Sequence, residues 1–436
     1  MKKIKRRAYS ALLVALCLLL GMGVYVSRFA SDGPGWVRFS ANEAVYENGR
    51  LLTGTLTDCS GSVLLSTEDG KRVYSADPAI RIATLHAVGD REGNIGTGAV
   101  SAFADRLSGY DPLTGLAEGG ATLALSIDAE LCRVAYEALD GRKGAVLLSD
   151  YTTGEILCMV SSRSFDPDIG IDPADPAYEG AYLNRCISAA YTPGSVFKLV
   201  TTAAAIERIP NLAERRFTCT GSTVADGSEI RCTGVHGEQT IEQALANSCN
   251  CAFAELSLEL GGKTLEKYAK RLGLVGQLTL DGVYTASGSF EAAEPGSAAL
   301  AWSGIGQSTD LITPFAMLRC VSAIANGGIA AGPTLLHGEK AKSERLLSAD
   351  TAEKLKSLMN YNVLYSYGAW NFPGLALCAK SGTAELGDGS SHAWFTGFLD
   401  DPAHPYAFTV LVEQGGGGAR VAGPIANTVL QAATKK

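Results

Sequence analysis

Apolar and polar positions alternate in three different ways along this chain. From Ala8 to Val26 no residue is charged, and Leu12 to Leu20 is almost wholly aliphatic. That length is close to the roughly 20 residues a membrane-crossing helix needs. After a glycine- and proline-bearing neck, Ser31 to Gly35, short apolar runs such as Ser62–Leu65 and Arg81–Leu85 are punctuated by Gly, Asp and Asn up to Gly120. They predict small strands and turns. Beyond Gly120 the runs lengthen. Ala121–Ile127 reads as a strand, and Asp128 is a suitable N-cap for a helix carrying Leu131, Val134, Ala135 and Ala138 at helical spacing. Gly144–Asp150 and Glu155–Ser161 read as a hairpin. Leu375–Lys380, Trp394–Phe398 and Tyr406–Val412 are three further strands, and Ile425–Ala433 is a closing helix. Strands at both ends of a region with helices between them predict an α+β domain, an antiparallel sheet covered by helices.

Composition agrees with a folded protein of two or three domains: 436 residues, 46% hydrophobic and 19% charged. The pattern divides it into residues 1–30, a basic stub and anchor; 31–120, a small β-rich pedestal; and 121–436, the main domain. Lys2, Lys3, Lys5, Arg6 and Arg7 supply five positive charges to a net charge of −8, so the rest of the chain carries −13. An acidic body argues against nucleic acid as a partner. The basic stub is expected to stay in the cytoplasm and the remainder to lie outside, on a single-pass plasma-membrane anchor. A cleaved signal peptide is the rival reading. Bulky Tyr25, Arg28 and Phe29 disfavour it, since cleavage sites need small residues. Most of the 11 cysteines read as small buried apolar side chains, although a Cys219–Cys232 bridge across a turn-rich stretch is open. Five isolated histidines and no Cys-x-x-Cys pair predict no metal and no cofactor. Gly415–Gly418 lacks the lysine of a phosphate loop and reads as a mobile turn.

Candidate chemistry lies in three motifs, in order: Ser195-Val-Phe-Lys198, Ser248-Cys-Asn250 and Lys380-Ser-Gly-Thr383. Ser-x-Asn also occurs at Ser40–Asn42, with no partner motif before it. Ser195 follows Pro193-Gly194 and opens an apolar helix, where its backbone N–H and the helix dipole can hold an oxyanion. Lys198, on the same helix face, could hydrogen-bond the Ser195 hydroxyl, and burial beside Phe197 would lower its pKa until the neutral amine takes the serine proton. Ser248 and Asn250 share side-chain parity on a short extended or loop segment. Lys380 begins a strand with Gly382 on its face and Ser381 and Thr383 on the other, Gly382 leaving room for a substrate backbone. Together these residues describe an acyl-transfer site.

With these motifs the chain resembles a class B penicillin-binding protein, a membrane-anchored peptidoglycan D,D-transpeptidase with a penicillin-binding/serine β-lactamase-like domain. Thr153–Leu157, Asn184-Arg185, Tyr191–Ser195, His236-Gly237, Gly304–Gln307, Thr313-Pro314, Ala325–Gly328 and His392–Gly397 carry the same resemblance. It implies that Ser195 is acylated by the penultimate D-alanine of a stem peptide and that an amine then accepts the acyl group. It casts Lys198 as base, Ser248 as proton relay, Asn250 as a partner for the donor peptide, Lys380 as electrostatic support, and Ser381, Gly382 and Thr383 as substrate-binding. Thr383 would meet the terminal carboxylate, and the N–H groups of Ser195 and Thr383 would form the oxyanion hole. β-Lactams are expected to trap Ser195, and a multi-span glycan polymerase is the expected partner. Val45–Leu52 matches the family's membrane-proximal element only in substituted form. Rival readings are a serine β-lactamase, a β-lactam sensor, or an idle scaffold of a cell-wall complex. No glutamate can be assigned as a hydrolytic base, there is no room for a sensor's signalling part, and the intact motifs argue against a scaffold.

Overall fold

The computed structural model describes residues 2–37, 46–47, 50–51, 53–68, 70–111, 114–117 and 119–435. Ser40–Asn42 and part of Val45–Leu52 lie outside the described residues. The apolar N-terminal run is one helix, Lys2–Val37, whose membrane-length window has mean hydropathy 2.2 and is exposed throughout. It continues through the expected neck. The reason is a docking contact: Gly33 is buried against Tyr110, and a Cβ there would lie 3.0 Å from the Tyr110 ring.

The pedestal is less β-rich than its punctuation predicts. A four-stranded sheet runs in the order Lys71–Tyr74, Val63–Glu68, Thr55–Thr57, Thr122–Ala124, the last pair parallel. The boundary at residue 120 therefore cuts this sheet. Arg81–Leu85 lies in a helix, Pro78–Val88, rather than in a strand. Asp77 caps it, accepting from Ala79 N at 2.8 Å, and Pro78 has no N–H to satisfy at the first turn. This helix ties the pedestal to the main domain. Arg81 reaches Asp166 through two bonds of 2.6 Å, Ser164 donates to Ile82 O at 2.7 Å, and Asn184 Nδ2 donates to His86 O at 3.3 Å.

The main domain is built on a five-stranded antiparallel sheet in the order Leu377–Glu385, Ser391–Leu399, Tyr406–Val412, Gly144–Asp150, Ile156–Ser162. C-terminal strands thus close against the N-terminal hairpin, as the two-ended pattern predicts. The helices Ala129–Leu139 and Gly418–Ala433 pack against one another and on the sheet, as does the apolar helix Pro314–Ala325. Asp128 caps the first, accepting from Leu131 N at 2.9 Å. Coverage by helices explains why these strands read as continuous apolar runs rather than alternating ones. Trp394, Phe395, Phe398 and Phe408 are among the largest fully buried side chains.

Candidate active site

Ser195 sits in a single tight 3-10 turn, Gly194–Phe197, that leads directly into the helix Lys198–Arg208. The turn is wedged between two backbones. Gly194 adopts φ +55°, its N–H donates to Gly306 O at 2.8 Å, and a Cβ on it would lie 2.6 Å from Thr383 O. Gly306, at φ +82°, faces back on Gly194, where a Cβ would lie 2.1 Å from the Gly194 carbonyl. Only glycine fits either place. Trp394 Nε1 donates to Thr192 O at 3.0 Å, pinning the approach to the turn. Tyr191 and Arg185 both donate to Glu413 Oε1 at 2.7 Å, so three of the quoted stretches serve to hold this turn.

Gly382 also makes room for the serine turn. A Cβ on it would meet Pro193 O at 2.9 Å and Val196 Cγ1 at 3.0 Å. Gly418 is not part of a mobile turn. It opens the last helix hard against the strand, a Cβ there lying 2.3 Å from Gly382 O, and its N–H donates to Thr383 Oγ1 at 3.3 Å.

Lys198 and Lys380 converge on Ser248. Lys198 Nζ donates to Ser248 O at 2.6 Å, Asn250 Oδ1 at 2.8 Å and Ser248 Oγ at 3.2 Å. Lys380 Nζ donates to Ser248 Oγ at 3.1 Å and Ser381 O at 2.8 Å. Ser248 itself is a loop residue at φ +52°, and Asn250 begins the helix Asn250–Leu260, so the pair is split between loop and helix. Ser381 Oγ is turned to the Tyr367 hydroxyl, 3.1 Å away. Thr383 is exposed beside the serine turn. The Ser195 hydroxyl is half-exposed and takes part in no hydrogen bond among the described residues, the expected Lys198 contact included. Lys198 satisfies the Ser-x-Asn segment instead.

Both amines are wholly buried, and no carboxylate touches either one among the described residues. Burial brings the Lys198 pKa down to about 7. Burial, reinforced by the neighbouring Lys198 charge, holds Lys380 well below the ordinary lysine range. The aromatic wall is Phe253, whose ring centre lies 5.4 Å from Lys198 Nζ; Phe197 instead stacks on Phe290. A neutral lysine has two N–H donors and one lone pair. Ser248 O and Asn250 Oδ1 take the donors, which leaves the lone pair for an O–H.

The Cys219–Cys232 bridge that the sequence leaves open is not formed. Cys219 and Cys232 are both free thiols, and the fold gathers Cys219, Cys232, His236 and Cys249 with ligand atoms mutually within 4.8 Å. These four side chains form a candidate metal-binding cluster. No Cys-x-x-Cys spacing announces it, because Cys219 ends a strand, Cys232 and His236 lie in the irregular segment 232–236, and Cys249 is a helix cap.

Comparison with known proteins follows the same lines. Residues 144–431 match the family model described as the penicillin binding protein transpeptidase domain. Peptidoglycan D,D-transpeptidase PbpA of Mycobacterium tuberculosis is 31% identical over 76% of this chain and 75% of its own length. PbpA of Mycolicibacterium smegmatis is 28% identical over 99% of both chains. Among solved structures, the ceftriaxone acyl-enzyme complex of penicillin-binding protein A from M. tuberculosis superposes with a TM-score of 0.76 at 27% identity, covering 87% of this chain and 98% of that one.

Proposed function

The chain belongs to the penicillin-binding protein transpeptidase family, and from that premise we propose how its residues divide the work of acyl transfer. The enzyme is a serine-type peptidoglycan D,D-transpeptidase that β-lactams acylate. Its N-terminal helix is consistent with a single-pass membrane anchor.

Ser195 Oγ attacks the carbonyl of the penultimate D-alanine, and its proton passes to the neutral Lys198 amine. The oxyanion is held by the N–H groups of Ser195 and Thr383. As the intermediate collapses, the terminal D-alanine leaves with a proton relayed through Ser248, and Lys198 returns to the neutral form by the same route. An acceptor amine from a second stem peptide then attacks the ester, loses its proton to the relay, and frees Ser195. Thr383 meets the donor's terminal carboxylate, with Lys380 supplying positive potential; Asn250 aligns the donor, and Ser381 and Gly382 contribute backbone and shape. One observation carries this reading: Ser248 Oγ lies 3.2 Å from one buried amine and 3.1 Å from the other, with no carboxylate among its contacts with the described residues. Such a wire suits proton relay to an amine and includes no carboxylate base for water among the described residues, which weighs against a lactamase.

The basic stub of the anchor favours a cytoplasmic N-terminus, with the Ser195 cleft on the extracytoplasmic side. A single span, a pedestal covering roughly residues 31–120, and no polymerising domain in the matched region favour a multi-span glycan polymerase as partner. The test of the chemistry is direct. Full-length protein in detergent, given a D-Ala-D-Ala donor peptide and an amine acceptor, should form the cross-linked product with release of D-alanine. Release of D-alanine with hydrolysed donor and no cross-link would overturn the transferase reading.

A further inference from the structure

We propose that Cys219, Cys232, His236 and Cys249 bind a single zinc ion that fixes the Ser248–Asn250 segment. All four ligand atoms lie within 4.8 Å of one another, and two of the separations match a tetrahedral site. Zinc–sulfur bonds of about 2.3 Å at a tetrahedral angle set two sulfurs roughly 3.8 Å apart, and a sulfur and an imidazole nitrogen roughly 3.5 Å apart. The Cys232 and Cys249 sulfurs are 3.8 Å apart, and Cys232 Sγ lies 3.5 Å from His236 Nδ1. Three thiols and one imidazole form a donor set that selects zinc over harder cations.

The surroundings favour thiolates. Asn250 N–H donates to Cys232 Sγ at 3.2 Å, and Ala252 N–H donates to Cys249 Sγ at 3.5 Å. Cys249 is the N-cap of the helix Asn250–Leu260, where the helix dipole stabilises negative charge. Cys251, whose sulfur lies 3.5 Å from that of Cys219, supplies a neighbouring thiol to the cluster's edge. Backbone N–H groups and a second thiol around the sulfurs are the outer contacts that orient metal ligands.

The segment also has need of a staple. Cys219 ends a two-stranded pairing of Phe217–Cys219 with Gly237–Gln239, and Cys232 follows the hairpin Ser222–Ala225/Ser228–Arg231. Isolated two-stranded sheets are marginal in water, and Val224 and Val235 here are exposed at 66% and 75%. A metal joining them to Cys249 would lock the residue that stands between Ser248 and Asn250. Those two neighbours are the ones Lys198 grips. The ion would thus hold the proton relay in register without touching substrate.

The experiment uses full-length protein purified in detergent under reducing conditions from zinc-supplemented cells. Zinc is counted by elemental mass spectrometry, independently of any activity. The expected result is about one zinc per chain, falling below about 0.2 in Cys232→Ser and retained in Cys320→Ser, which alters a distant buried cysteine. Should Cys232→Ser fail to fold, the wild type still decides: protein stripped with a chelator and reloaded with cobalt(II) should show thiolate charge-transfer and tetrahedral d–d bands. Stripping should slow penicillin labelling about tenfold, and zinc should restore it. Zinc below about 0.1 per chain before and after reloading, or native Cys219–Cys251 or Cys232–Cys249 disulfides by peptide mapping, would overturn the proposal.

Discussion

Lowering the pH from about 8 to about 6 should slow penicillin acylation about tenfold, because it protonates Lys198. The magnitude follows from burial. Lys198 is wholly buried beside Phe253, with carbonyl oxygens and a hydroxyl for partners, which brings its pKa down to about 7. About half of the molecules then hold a neutral amine at pH 7, against roughly one in 2,500 for an ordinary lysine. The assay is the second-order rate of labelling by a fluorescent penicillin, measured on full-length protein in detergent across this range. Because Lys380 donates to the same Ser248 hydroxyl, the titration belongs to the pair until a variant separates them. In Lys380→Met the inflection should persist, at a lower overall rate. A rate that is flat between pH 6 and 8, or that climbs only towards the ordinary lysine range, would refute the argument. So would loss of the inflection in Lys380→Met, which would make Lys380 the titrating base.

Three further outcomes are expected. Gly306→Ala places a Cβ 2.1 Å from Gly194 O, so it should displace the serine turn and cut acylation on the order of 100-fold while the far-ultraviolet circular dichroism is retained; an unaltered rate would show that Gly306 does not set the turn. Asp310 is buried with neither carboxylate oxygen bonded among the described residues, and burial raises its pKa to about 8, against about 3.9 unfolded. The folded state therefore binds the extra proton between these values, and stability falls as pH rises through that window. Asp310→Asn should raise Tm more at pH 8 than at pH 5, and equal shifts would contradict this. Deleting residues 2–30 should leave penicillin labelling intact but abolish support of growth or shape in the native cell; full complementation by the soluble form at normal abundance would remove the case for tethering and partner contact.

Much of this architecture was legible because its signals are local. Continuous apolar runs marked the buried strands 144–150 and 406–412, and Asp128 marked a helix start. The serine, lysine and Ser-x-Asn motifs were readable for a chemical reason, since few other arrangements need those groups in that order. What escaped was long-range. Arg81–Leu85 looked strand-like because β-branched Ile82 and Thr84 outweighed the Asp77-Pro78 helix start. Gly194, Gly306, Gly382 and Gly418 are demanded by backbones more than 60 residues away in most pairings, so no window around each could explain it. Lys198 reaches across to a segment 50 residues on, which turned an expected Ser195 contact into a Ser248 one. The cysteine cluster was hidden by the same separation, although four of the 11 cysteines crowd between residues 219 and 251.

The most direct test of the acyl-enzyme account is to map the covalent adduct. Full-length protein treated with penicillin should gain one penicilloyl group, located by peptide mass spectrometry on Ser195, absent in Ser195→Ala, and released far more slowly than by a lactamase because no carboxylate base for water adjoins the site among the described residues. An adduct on another residue, full labelling of Ser195→Ala, or rapid catalytic turnover of penicillin would contradict it.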